Sequence, residues 1–542
     1  MYGSVRTRED ANARDRRNAS HHPRREAMST IARRLAPLLL AFALLGGATA
    51  QQRATVLSPQ EPATLLPHFD LLTLTHEVQQ LIFDCLFVVD ESGDYRPHLA
   101  AEVPTVANGG VSEDGTTYTL RLRDDVTWQD GEPFTSADVR YTWQVITDRN
   151  LPIPSRAVWQ DVVAVETPDP HTAVIRFDET NVAFLGAASS DACFILPEHV
   201  LAGTDLVNAP FNRQPIGTGA FELAEWRAGA FARLTANEDY FLAAPALDEI
   251  VVQFTGGSQA MRTSLQRGEA ELALHIGAAD LRFAQGLDGY QVRQAPDHAW
   301  WQFWINNQDE VLQDVRVRRA LAHATDKRLI ADTVFGGVVE PQDAIFPPSH
   351  WAHADDVRAY PYDPEAAAEL LSEAGWTDAD GDGVREKDGE PLRIEILNIA
   401  GQADRRQVVQ IVQDLWNDVG IEATIREIDG ASFPPTMAEG DFQVAYGWFG
   451  ENQEPIFALW LGTNWQNFGD EAALDLLRGV SGTVDREVRA EAIRAFQRII
   501  AEEAAMLPIA PRPLLNVVAE RLDGYAPTLS GSLWNAHEWT LR

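Results

Sequence analysis

Apolar and polar positions along this chain follow two different periods in turn. In "TYTLRLRDDVTW", Tyr118, Leu120 and Leu122 share one face at period two, which predicts a strand, and Asp130-Gly131 supplies the turn beyond it. "FTSADVRYTWQVI" switches to the helical period, with Thr135 and Asp138 spaced as a capping box that satisfies free N-terminal amides. In "DVRVRRALAHATDKRLI", Val317, Ala320, Leu321 and Ala324 line a helix face behind Asp314 as cap, and Arg316, Arg318 and Arg319 read as a solvated or ion-paired face. "YDPEAAAELLSEAGW" repeats the logic with Asp363 as cap, Pro364 at the first helical position and Gly375 as stop. "DRRQVVQIVQDLWNDVG" predicts a helix burying Val408, Ile411, Val412 and Leu415, after which "IEATIREI" returns as a strand. Strands and helices alternate without an internal repeat or a low-complexity linker. The pattern predicts an α/β protein of several interleaved lobes.

Length and charge narrow the class. A chain of 542 residues is too long for one core, so two or three domains are expected. The formal charge is -36, and only two lysines, Lys327 and Lys387, stand among the 44 basic residues. Such a chain repels nucleic acid and anionic lipid surfaces, so neither is expected as a partner. From Met28, "MSTIARRLAPLLLAFALLGGATAQQ" has a basic start with Arg33 and Arg34, an apolar run from Leu35 to about Leu45 and Ala48-Thr49-Ala50 as a cleavage site. It reads as a secretory signal peptide, too short to span a bilayer of about 30 Å. Residues 1–27 carry seven arginines and little apolar content, so Met28 is read as the start and residues 1–50 as extension plus signal. The mature protein is expected outside the inner membrane, in the periplasm or cell exterior. There, an oxidising compartment permits a disulfide between Cys85 and Cys193, although burial as two free thiols fits the sequence equally.

Candidate chemistry is sparse. "DADGDGVREKDGE" sets Asp378, Asp380 and Asp382 at alternate positions like a calcium loop, but its twelfth position is Gly389 where a bidentate carboxylate belongs. The following "PLRIEIL" places Leu392, Ile394 and Ile396 on one face as a strand, so a hairpin turn is the favoured reading, with a weak surface calcium site left open. No phosphate-cradling loop, nucleophile elbow or zinc-protease histidine pair occurs; "HEVQQ" at His76 lacks the second histidine, and Gly217-Thr218-Gly219 is too short for a dinucleotide fingerprint. No cofactor and no metal site are assigned. Binding is better supported than turnover, so the chain is not read as an enzyme.

Seven segments occur in order: "LIFDCLFVVDESGDYRPHLAAEV", "YTLRLRDDVTWQDGEPFTSADVRYTW", "ILPEHVL", "IGTGAFELAEWRAGAFARLTANEDYF", "INNQDEVLQDVRVRRALAHATDKRLI", "YDPEAAAELLSEAGW" and "GWFGENQEP". Together they resemble the extracellular solute-binding proteins of peptide ABC importers, family 5, over nearly the whole mature chain. The resemblance implies a three-lobed periplasmic-binding-protein-like clamp of type II: two ligand-enclosing lobes joined by a hinge, plus an extra lobe. By position, lobe I takes 51–84, 181–297 and 505–542, lobe II 85–180, and lobe III 298–504. The aspartate-rich turn then falls on the outer side of lobe III.

The same resemblance implies the pocket. The position at which peptide binders of this family carry an ammonium-pairing aspartate is Glu451 here, a carboxylate lengthened by a methylene, and Trp448 matches a pocket tryptophan whose face stacks on ligand. Trp300 and Phe303 in "HAWWQFWINN" lie near the lobe I to III crossing, where lining the cleft and packing the core are rival readings; Asn467 and Phe468 in "NWQNFG" resemble residues near the peptide site. The implied function is capture of di- to oligopeptides by clamp closure and delivery to importer permease subunits with a cytoplasmic ATPase, by a monomer. Two alternatives stay open: another solute on the same fold, such as an opine, oligosaccharide or nickel chelate, and an exported calcium-dependent hydrolase.

Overall fold

The computed structural model describes residues 52–542 apart from 71, 157, 190–192, 451–452 and 456–463. The signal-like segment and Glu451 therefore lie outside the described residues.

Three sheets carry the fold. The first has seven strands in the order Tyr290–Ala295, Leu514–Ala519, Leu272–Ile276, Arg53–Ser58, Glu249–Phe254, Phe231–Ala236 and Phe221–Arg227. Arg53–Ser58 runs parallel to both of its neighbours, and the outer pairings are antiparallel. The second is a three-stranded antiparallel sheet of Thr117–Arg121, Thr172–Phe177 and Val162–Asp169, inserted between strands of the first. The third has five strands, Glu422–Ile428, Arg393–Ile399, Val444–Gly450, Ala299–Ile305 and Met506–Pro511. Met506–Pro511 pairs with Ala299–Ile305, so it belongs with the third sheet although the expected boundary at 505 gave it to lobe I. The chain thus passes between the first and third sheets twice, at 295–299 and at 511–514.

Local sequence signals account for the elements. Tyr118, Leu120 and Leu122 are buried on one face of their sheet, as the alternation predicts. Thr135 closes its capping box: Ala137 N donates to Thr135 Oγ1 at 3.3 Å and Thr135 N donates to Asp138 Oδ2 at 2.9 Å. Asp314 and Asp363 accept from Arg316 N and Ala366 N, and Gly375 ends its helix at a φ of +91°. Leu392, Ile394 and Ile396 are all fully buried.

Two helix faces differ from their predictions. Arg318 is buried, because its guanidinium donates to the carbonyls of Leu312, Gln313 and Glu503 and pairs with the Glu503 carboxylate; Arg316 and Arg319 form the expected surface pairs. Helix Ala403–Asn417 buries Val408, Val409, Val412 and Trp416, with Ile411 and Leu415 only partly covered. The indole sets this rotation, since Trp416 Nε1 donates to the buried Thr325 Oγ1 at 3.1 Å. A large aromatic with a satisfied donor takes the inward position over a leucine.

The glycines of Gly217-Thr218-Gly219 serve packing. Gly219 N donates to Ile82 O at 2.8 Å, and a Cβ at Gly217 would stand 1.7 Å from that carbonyl oxygen. Between them Thr218 Oγ1 donates to the buried Asp84, which also accepts from Tyr240 and contacts His98. Cys85 and Cys193, adjacent to this layer, form a disulfide with a Cα–Cα distance of 5.0 Å, which decides the pairing that sequence left open.

Two expectations follow. Replacing Gly217 by Ala drives the new Cβ into the Ile82 carbonyl and lowers stability by about 3 kcal/mol, read by urea unfolding. His68, buried with Nε2 2.9 Å from Phe194 O, has its pKa lowered to about 4, mainly by burial. The folded state therefore refuses a proton that the unfolded chain takes near 6.5, and stability falls as pH drops from 6.5 to 4 and levels off below. In His68→Gln the loss of stability between pH 7 and 4.5 is smaller by about 2 kcal/mol.

Candidate functional site

A cavity of about 130 Å³ sits beside the two crossovers between the first and third sheets. Its walls come from helix Thr73–Gln79, from Val89 and Ser189 beside the second sheet, from the two crossovers at 295–298 and 512–514, from Gln453, and from the turn at 528–532. The volume is below the roughly 300–1,000 Å³ of pockets that hold small molecules, so larger solutes enter only if the walls part. Wider grooves exist, one of about 730 Å³ lined by Gln129, Arg213 and Trp226, in which Asp130 and Arg213 are engaged by His199 and Glu61 from outside the groove.

Each wall is held by identifiable bonds. Glu77 projects from its short helix and accepts from the Ser532 and Leu533 amides at 2.7 and 3.1 Å, fixing the C-terminal turn, and lies 3.3 Å from His275 Nε2. Burial pushes the Glu77 carboxyl up, but the bonds from His275 and Ser532 outweigh it and hold the group below the usual range. Val89 N donates to Ser530 Oγ at 2.7 Å, joining the turn to the second sheet's side.

The opposite closure comes from the segment after Val444–Gly450. Gln453 donates its side-chain amide to Gly93 O and accepts through its main-chain carbonyl from Trp351 Nε1 at 2.6 Å. Glu454 and Arg489 form a buried ion pair beside Gly186; burial raises the Glu454 pKa, with the Arg489 charge opposing. Arg486 lies 3.8 Å from Asp94 and both arginines stack on Trp351. These contacts join residues near 90–95 and 186 to residues 351 and 453–489. Among the described residues, no stretch of backbone links the two groups without passing through the first sheet, so these side chains bridge the two bodies directly.

Asp297 and Arg512 occupy the two crossovers. Arg512 Nε donates to Asp297 Oδ2 at 2.5 Å and Arg512 N to Ala299 O at 2.9 Å. The guanidinium carbon lies 4.1 Å from the Trp448 ring centre. Pro511 and Pro513 flank Arg512, so within 511–513 the sole amide donor is that of Arg512, which bonds Ala299. His298, between these partners, is 5% exposed, and burial lowers its pKa to about 4, leaving a neutral imidazole on the cavity wall.

The sequence-derived site residues separate into three groups. Trp448 is 46% exposed, stacked with Arg512 at the crossover end of its strand. Trp300 and Phe303 are 1% and 0% exposed and pack in the cores on opposite faces of the third sheet, as the alternation of a strand requires; Trp300 Nε1 is satisfied by Gln302 Oε1 at 2.6 Å. Phe468 is also buried in a core cluster. Asn467 sits in a left-handed turn at φ +48° and donates to Asn306 Oδ1 at 2.9 Å, at the far end of Ala299–Ile305 from Trp448. None of Trp448, Trp300, Phe303, Asn467 and Phe468 is among the residues that line the cavity. Sequence reasoning missed Asp297, His298, Gln453 and Arg512. The one available signal was a lone arginine between two prolines inside the apolar run "MLPIAPRPLLNVV".

The aspartate-rich loop stands apart from the cavity walls. Asp378, Asp380, Asp382 and Glu386 bring carboxylate oxygens within 4.8 Å of one another on an exposed loop. Its own amides close it: Gly381 N and Gly383 N donate to Asp378, and Val384 N to Asp382. A short hairpin of Glu386–Lys387 and Glu390–Pro391 follows.

Comparison with known proteins gives this geometry its context. The family of bacterial extracellular solute-binding proteins, family 5, matches in its middle portion residues 94–470. The oligopeptide-binding protein AppA of Bacillus subtilis (strain 168) is 24% identical over 480 residues, covering 86% of this chain and 87% of the relative. The structure of that protein in complex with a nonapeptide superposes with a TM-score of 0.72 at 23% identity, over 91% of this chain and 99% of the other. NikA from Brucella suis in complex with Fe(III)-EDTA superposes with a TM-score of 0.80 at 22% identity, over 90% and 100%. The chain belongs to the family 5 bacterial extracellular solute-binding proteins, and its three sheets are those of the family's clamp.

Proposed function

We propose that this protein captures di- to oligopeptides in the cavity between the sheets and delivers them, as an exported monomer, to the permease subunits of an ABC importer driven by a cytoplasmic ATPase. The cavity at the two crossovers carries the reading. Its walls come from the edge of the first sheet (Ala295, Leu514), from both crossovers, and from segments outside the other two sheets (Val89, Ser189, Gln453), so a solute held there favours the closed arrangement in proportion to its preference for that state. Nothing in such a mechanism requires bond-making. Peptide is the favoured ligand because relatives across most of the chain bear oligopeptide- and dipeptide-binding names. Glu451 is the proposed partner of the ligand's α-ammonium group and Trp448 a stacking surface beside it.

A second reading, a metal chelate in the same cavity, is favoured by one observation: solved relatives of similar fold hold Fe(III)-EDTA and Ni(L-His). The calcium-dependent hydrolase finds no comparable support, since none of the four clustered carboxylates lines the cavity.

Native mass spectrometry of residues 51–542 is the first test. A ladder of co-purified masses spaced by amino-acid residues supports peptide capture, whereas a single chelate mass transfers the assignment to the second reading. In calorimetry, Glu451→Gln weakens amine-terminated peptides by roughly 2–5 kcal/mol and leaves their N-acetylated forms unchanged. Equal weakening of both forms removes Glu451 from the site.

A further inference from the structure

Arg512 is the cation of the cavity wall with bonding capacity left over. A guanidinium has five N–H donors. Among the described residues, its side chain makes one hydrogen bond, from Nε to Asp297, so the four N–H groups on the two Nη atoms have no protein acceptor. The side chain is only 18% exposed and cannot be reckoned a solvated surface arginine. It is also fixed: Asp297 holds Nε, the Trp448 ring covers one face, and the flanking prolines restrict the backbone. An arginine immobilised at Nε with both Nη groups open presents the planar fork that receives a carboxylate through two parallel bonds.

We propose that Arg512 is a carboxylate anchor, receiving a carboxylate group of the captured solute on its two Nη atoms. The surrounding charges permit this. Asp297 is compensated by Arg512 itself, and Glu77 accepts from two backbone amides and lies against His275. The remaining negative charge of the chain is screened beyond about 8–10 Å at physiological salt. His298, neutral and with Nε2 free of any protein partner, adds a donor beside the fork when its tautomer carries the proton there. The position gives the contact a consequence. Arg512 is on one crossover and its partner Asp297 on the other, so a carboxylate bound here engages both hinge segments at once.

This inference rests on the cavity being the solute site, and its test separates the two. Equimolar tripeptide libraries free of Asp and Glu, one with free C-termini and one C-terminally amidated, are offered to the mature chain and retained ligands are quantified by native mass spectrometry. A third library, amidated but carrying one Glu, distinguishes a side-chain carboxylate from the terminal one. Wild type is expected to retain a carboxylate-bearing library at least tenfold better than the amidated library without Glu. Arg512→Gln is expected to abolish that difference, and Arg512→Lys, which keeps the charge next to Asp297 and loses the fork, to leave an intermediate one. If wild type retains all three libraries equally, or if both variants lose all three in the same proportion, Arg512 is a hinge residue and the anchor is overturned. If wild type retains none, the peptide reading fails, and a bacterial small-molecule extract split in two, one half methylamidated by carbodiimide coupling, replaces the libraries. Retained masses that vanish on amidation support the anchor for another solute; retained masses indifferent to amidation, or none at all, overturn it.

Discussion

Everything that this clamp does passes through two short crossovers. The segments at 295–299 and 511–514 are the sole backbone connections between the first and third sheets among the described residues, and one arginine ties them together by side chain to Asp297 and by main chain to Ala299. Proline on both sides of Arg512 removes two amide donors and fixes two φ angles in that crossover. Motion between the sheets is therefore confined to a few torsions, which is the usual economy of a hinge: rigid bodies move while a handful of residues absorb the change. The cavity lies against those same residues, so occupancy and hinge geometry are read at one place.

The rest of the closure is assembled from groups that are costly to leave unpaired. Glu454 and Arg489 are buried together, and Gln453 reaches across to the carbonyl of Gly93. A buried ion pair adds little net stability over an apolar one, but removing a partner leaves a charge stranded in low dielectric. Such a pair at a contact that must form and break favours one registered closed arrangement over many approximate ones. The large net charge works differently. It is spread over the surface, while the carboxylates Glu77 and Asp297 at the cavity are each matched by local donors.

Local features were legible in sequence because their causes are local. The caps at Thr135, Asp314 and Asp363, the stop at Gly375 and the alternation at Leu392–Ile396 depend on residues within one turn or one strand, and the structure repeats them. Family membership was legible from the order of seven segments. Side-chain destinations set by distant partners were not. Whether Trp300 lines a cleft or fills a core depends on which face of the third sheet meets helices, and Trp416 displaces Leu415 because Thr325, some ninety residues away, offers an acceptor. Arg512 escaped notice for the same reason: its significance comes from Asp297 and Trp448, neither of which is near it in sequence.

The Cys85–Cys193 disulfide encloses the whole second sheet within a covalent ring of the chain. Residues 86–192 are in effect a cyclic module fastened at its neck to the rest of the protein. A protease that cut any peptide bond inside that ring would leave one molecule rather than two, with the pieces still joined at the sulfur atoms. For a protein read as working outside the inner membrane, the module of the second sheet is thus the part whose loss requires two cuts or a reductant.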